Sequence, residues 1–232
     1  MARKTATAAG DPIQPHEKKL IISPPNFGVV VFELVGTAPL VQCAFSQKAA
    51  EAMAEAQREG SRQMKKKRGD KAPKDFERAY RDAQHRMKGG GYGHPASAFR
   101  EALKSACRFS GIAMTIAKGA VFIEADGVNE AETIPLVRIN GEPEYFEAPV
   151  RLRKAGTFDI RARPMFRHWE CDLTVRFDAD MFRSDDIANL VLRAGLQVGI
   201  GEGRSDSRDS AGCGWGSFTF RNKDSAPGKE KA

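Results

Sequence analysis

Six glycines fall within eighteen positions in Gly199-Ile200-Gly201-Glu202-Gly203-Arg204 and Gly212-Cys213-Gly214-Trp215-Gly216. Glycine lets backbone N–H groups approach a large partner, and Arg204 and Arg208 lie in the same run. The chemistry this combination suits is contact with an extended phosphate backbone. The GxGxG spacing matches part of a dinucleotide fingerprint, which needs a strand before it and a helix after it. Here a helix precedes it and none opens after it, so that reading is set aside. A glycine-rich hairpin that merely turns is the plain alternative.

The second candidate is a strand at residues 158–163. Its alternation puts Phe158, Ile160 and Ala162 on one side and Asp159, Arg161 and Arg163 on the other. An apolar back with two arginines in front would floor a phosphate-lined groove. Charge supports a polyanionic partner: 37 Lys and Arg against 30 Asp and Glu leave +7. Residues 58–88 hold twelve basic and five acidic side chains, and residues 151–167 hold six against one. Segregation of this kind predicts a basic face.

Catalytic constellations are hard to find. His85, His94 and His168 stand apart in sequence, and His16 falls in a segment without periodicity. Cys43, Cys107, Cys171 and Cys213 form no CxxC pair, so buried thiols in a reducing compartment are expected, without a disulfide framework, zinc or another cofactor. No GxSxG or HExxH occurs. The apolar run at residues 27–35 is interrupted by Glu33 and is far short of the roughly 20 residues of a membrane span. A cytoplasmic protein is expected.

Several elements must position these groups. Strands are expected at residues 27–35, 119–125, 136–139, 145–152, 158–163, 170–177 and 217–220. Helices are expected from Ser46 to about Arg58, within 75–87, over 97–109, and from Ser184 to Gly195. The helix over 97–109 buries Phe99, Ala102, Leu103 and Ala106 and shows Arg100, Lys104 and Arg108 on another face. Residues 59–95 read as a basic, partly flexible insertion, with a mobile hinge at Gly89-Gly90-Gly91-Tyr92-Gly93. Residues 1–17 and 222–232 are expected to be disordered around one domain at 18–221. The order of elements suggests an α+β unit of split βαβ type.

Three segments together resemble a known family. The glycine-rich loop between a helix and the last strand looks like the signature of the RAMP superfamily, the ferredoxin-like RNA-binding proteins of CRISPR effector complexes. Gly36-Thr37-Ala38-Pro39-Leu40 is similar to its early strand-to-turn sequence, and Pro95-Ala96-Ser97-Ala98-Phe99-Arg100 to its proline-led helix start. The closest likeness is to the subunits that polymerise along guide RNA. VGIGE-R…GWG-F and the stretch from Arg161 to Trp169 are also similar to an uncharacterised bacteriophage-encoded group.

The resemblance implies a ferredoxin-like (RRM-like) core and a non-catalytic protein that grips single-stranded RNA or DNA and oligomerises along it. It assigns the grip to Arg100, Lys104 and Arg108, to Gly201, Gly203 and Arg204, and to Lys65, Lys66, Lys67 and Arg68 as a thumb-like insertion. Arg161, Arg163 and Arg167 would extend the groove, and Tyr92, Trp169 and Trp215 are candidates to stack on bases. A loop aspartate, Asp70 or Asp75, is the one weak nuclease candidate. A phage structural or assembly protein, or an antagonist mimicking a CRISPR backbone subunit, is the alternative.

Overall fold

A computed structural model describes residues 23–45, 53–55, 57–58, 74–151, 158–207 and 212–221. Lys65, Lys66, Lys67, Arg68, Asp70 and Arg208 lie outside the described residues, as do both expected disordered ends and most of the helix expected from Ser46. The chain is an α+β protein with antiparallel sheets.

The main sheet is built from β1 (Phe27–Gly36), β4 (Val121–Ile123), β9 (Glu170–Asp178) and β10 (Phe218–Phe220), in the order β10-β1-β9-β4. Every pairing is antiparallel, from Phe27 opposite Asp178 to Val35 opposite Glu170. Helix α2 (Ala96–Ala106) lies in the connection from β1 to β4, and α4 (Ser184–Arg193) in that from β9 to β10. The strand period of two sends Leu34, Cys171, Leu173, Val175 and Phe177 to the helix-covered face. Phe99, Leu103 and Ala106 of α2 and Ile187, Leu190 and Val191 of α4 complete the core. Burying each large side chain contributes about 1.5–3 kcal/mol. On the outer face Val29 and Val31 are each 57% exposed.

Two smaller sheets flank this core. One has the order β2-β8-β7, from β2 (Leu40–Val41), β8 (Phe158–Phe166) and β7 (Glu144–Arg151). The other is β3-β6-β5, from β3 (Tyr92–Pro95), β6 (Pro135–Ile139) and β5 (Gly127–Val128). Trp169 is fully buried, donates its indole N–H to the Ala38 carbonyl at 2.9 Å, and packs so closely on Gly36 that any Cβ there would collide with its ring.

Several expectations are corrected. Gly119 is helical and not in a strand, because α3 (Met114–Ala120) runs up to Val121. Ala117 and Ala120 bury that helix, and Arg100 donates to the carbonyls of Lys118 and Val121 at its end. The Gly89–Gly93 hinge is a tight turn with positive φ at Gly89, Gly90 and Gly91, closed by Met87 N–H to the Gly91 carbonyl. Residues 83–95 supply buried Ala83, Met87 and His94, so this last third of the expected insertion is integral to the fold. The helix expected within 75–87 is the shorter α1 (Phe76–Asp82), capped by the Asp75 carboxylate, which accepts the Arg78 N–H at 2.8 Å. Gly195 does not end a helix. It lies in a π-helical turn (Ala194–Val198) where a Cβ would strike Phe218, and Gly199, at φ +75°, ends the helical run. The apolar back of β8 is bare at its start: Phe158 is 71% exposed. Among the described residues no helix is long and apolar enough to cross a membrane.

Candidate nucleic-acid interface

The glycine loop owes its shape to its own packing. Gly199, Gly201, Gly203, Gly212, Gly214 and Gly216 all have φ between +68° and +80°, the region that favours glycine. Gly216 donates to Pro39 O at 2.7 Å, Ile200 to Gly216 O at 3.1 Å and Glu202 to Val41 O at 2.9 Å. These amides tie the loop to β2 and to the turn after β1, whose Thr37 N–H reaches Ser217 O at 2.9 Å. The glycines therefore serve close backbone approach within the protein, and those amides are already bonded.

This packing separates two substitutions. Gly216→Ala would force positive φ on a residue whose Cβ overlaps the Ile200 carbonyl oxygen, whereas Gly212→Ala meets nothing nearer than 3.4 Å. Gly212→Ala is expected to cost about 1 kcal/mol, from the left-handed backbone alone. Gly216→Ala is expected to cost about 3 kcal/mol or more, since the backbone itself must shift. Thermal unfolding followed by circular dichroism measures both; equal melting temperatures would refute this account of the loop.

On β8, Arg161 and Arg163 alternate onto the same face. Their partners across the β7 hairpin, Ala148 and Phe146, share it. That face looks onto the glycine loop across a cavity of about 670 Å³, to which Gly201, Gly203, Arg204 and Trp215 also belong. The guanidiniums are engaged: Arg163 donates to Glu202 at 2.6 Å and Arg161 to the other carboxylate oxygen at 3.1 Å. Arg161 also lies 3.5 Å from Asp159, which pairs with Lys74 at 2.6 Å. The hydrogen bond from Lys74 holds the Asp159 carboxyl below its ordinary value. Arg204 donates to the Gly201 carbonyl at 3.2 Å. Three arginines against one glutamate leave this wall positive.

Sequence-named residues thus divide. Arg161, Arg163, Gly201, Gly203 and Arg204 come together, with Trp215, whose ring meets Phe146 edge to face at 5.6 Å. Arg100 caps α3 and covers the Phe122 ring at 4.8 Å. Lys104 pairs with Glu101 at 2.6 Å and Arg108 with Asp206 at 2.5 Å, while Arg167 pairs with Glu144 at 2.6 Å. Tyr92 is half-buried, edge-on to Phe166, and Trp169 is in the core. None of these six lines the cavity.

Two of the histidines that stand apart in sequence belong to it. The Gly89–Gly91 turn folds His85 back toward His94, ring centroids 5.8 Å apart, and both line the cavity. Three consecutive glycines midway between two histidines were the available signal. Burial lowers His85 to about 4. Burial, with the His85 and Arg204 charges, lowers His94 to about 3, so both rings are neutral at pH 7. Cys43 and Cys213 are exposed on the same wall, while Cys107 and Cys171 are buried; all four are free. Although Cys43 is exposed as a residue, its thiol is partly desolvated against the cavity wall, which pushes it up. Among the described residues no three His, Cys, Asp or Glu are grouped to hold a metal ion. No family model and no curated protein matches the chain.

Proposed function

We propose that the chain binds single-stranded RNA or DNA by its sugar-phosphate backbone, without catalysis, and oligomerises along the strand. One observation carries this reading: two segments about forty residues apart in sequence, one bringing Arg161 and Arg163 on β8 and the other Arg204 in the glycine loop, face one another across a single cavity. A positive wall of that kind attracts a polyanion through charge and counterion release. The proposal includes a ferredoxin-like core of RAMP type, acting in the cytoplasm of a bacterial host if the gene is viral. The order β10-β1-β9-β4, with α2 and α4 in the crossing connections, supports it. So does the meeting of three motif segments: Thr37–Pro39 bonds the loop at Gly216 and Ser217, and Pro95 and Ala98 adjoin Gly201 and Arg204.

Fluorescence anisotropy with labelled ribose and deoxyribose strands of about 20 nucleotides tests the reading. Three phosphate contacts predict that log affinity falls with log salt at a slope of about −2. Absence of binding at low salt would overturn it. Glu202 gives a sharper form of the test, because a phosphate entering the wall must displace its carboxylate. Glu202→Gln is expected to tighten binding by about threefold to tenfold, and to lower stability by about 1 kcal/mol because Arg161 and Arg163 lose their partner. Weakened binding would mean that the two arginines do not meet phosphate.

The exposed Val29 and Val31 on the outer face of the main sheet favour a second reading, a structural or assembly protein. Purification at low salt divides the two. Nuclease-sensitive co-purifying nucleic acid supports the first, and nucleic-acid-free assemblies support the second.

A further inference from the structure

We infer that the cavity between β8 and the glycine loop takes up one whole nucleotide of the strand, base included, and not backbone alone. This rests on the nucleic-acid reading above. A trough made only for phosphates needs cations and amides, yet this one is also walled by Val41, Phe146, Ala148, Pro149, Val150 and Trp215. Its volume of about 670 Å³ lies within the roughly 300–1,000 Å³ of ligand pockets and far exceeds what a phosphate group fills. The edge-to-face pair of Phe146 and Trp215 makes an aromatic corner against which a planar base can stack. Arg161, Arg163 and Arg204 stand around the same space, where the phosphate joined to that base would lie.

The histidines supply the second, independent observation. His94 is 4% exposed and its Nδ1 has no hydrogen-bond partner. Buried polar atoms of folded chains are nearly always partnered, so an orphan in a cavity wall points to a group that arrives with the ligand. Held neutral by burial, each imidazole offers one N–H and one lone pair. That is the complement of a base edge, and it sets up no charge in competition with the arginines for the phosphate. The outcome is a strand held by charge and partly selected by base.

The test compares the full chain's affinity for labelled oligothymidylate with that for the same strand carrying abasic tetrahydrofuran sugars. A grip on backbone alone binds both equally. Uptake of a base predicts weaker binding of the abasic strand by on the order of tenfold to a hundredfold. Phe146→Leu, which removes one ring of the aromatic corner, should shrink that gap. Equal affinities, or a gap untouched by Phe146→Leu, would overturn the inference and leave the backbone reading standing. Binding of neither strand would overturn that reading as well. Quenching of tryptophan fluorescence by thymidine monophosphate with no strand binding would overturn the strand as the source and assign the pocket to a free nucleotide.

Discussion

Replacing Arg161 and Arg163 together by glutamine is expected to lower affinity for a single strand by about 100-fold to 1,000-fold. Each guanidinium would give up a charge-assisted hydrogen bond to phosphate, worth about 1.5–3 kcal/mol before solvent screening. With side chains 29% and 16% exposed, the pair retains most of that value, and each factor of ten corresponds to about 1.4 kcal/mol. The salt slope should become shallower by about 1.4, the share of two phosphate contacts on a single strand. Glutamine is the right substitute because Glu202 lies between the two side chains. Glutamate at either position would set carboxylates against one another and confound binding with unfolding.

The double variant leaves Glu202 without cations, so the triple variant that adds Glu202→Gln serves as its stability control. It should recover melting temperature without recovering binding. Arg167→Gln, whose cation pairs with Glu144 on the exposed surface, should change affinity by about twofold at most. Anisotropy and gel shift measure all of these. Native binding by a folded double variant would remove β8 from the interface.

Charge and periodicity made part of this arrangement legible. The alternation of Leu173, Val175 and Phe177 fixes the buried face of β9, and that of Phe99, Leu103 and Ala106 fixes the buried face of α2, because burial on one side imposes a period. Arg161 and Arg163 could be placed on one face of β8 for the same reason. Alternation could not tell that Phe158 stands exposed, since a hairpin reaching beyond its covering layer keeps its pattern after losing its cover. Nor could charge counting foresee how the cations are paired. Arg100 has the helical spacing of a phosphate ligand, yet its guanidinium caps α3, a partner that follows from chain path and not from local pattern. Glu202 was visible as an acidic residue in a basic motif, but its place between two arginines is a property of the assembled cavity. His85 and His94 needed the turn at Gly89–Gly91 before they could be a pair.

That pair carries the other large effect: stability should fall steeply as the solution is acidified below pH 6.5. The ordinary imidazole value is 6.5, and the folded chain lowers His85 to about 4 and His94 to about 3. Between those values and 6.5 the unfolded chain binds protons that the folded chain refuses, so each step toward acid favours unfolding. The contribution is complete above pH 6.5 and disappears as pH falls through the folded values. Each histidine contributes a slope of up to about 1.4 kcal/mol per pH unit, so together they approach about 2.7 kcal/mol per unit between pH 6 and 4. Integrated from pH 6.5 to 4, that slope removes about 6 kcal/mol, comparable with the lower end of a total stability of about 5–15 kcal/mol. Asp159, held low by Lys74, adds to the loss only at still lower pH, once its carboxylate takes up a proton. Urea unfolding midpoints at pH 7, 6 and 5 measure the slope, with each midpoint converted through its own m-value. His94→Gln keeps a polar side chain that does not titrate and should halve the slope whatever it does to stability at pH 7. A midpoint that stays level from pH 7 to pH 5, or a slope the same in His94→Gln, would show that these rings accept protons in the folded state as readily as in the unfolded one.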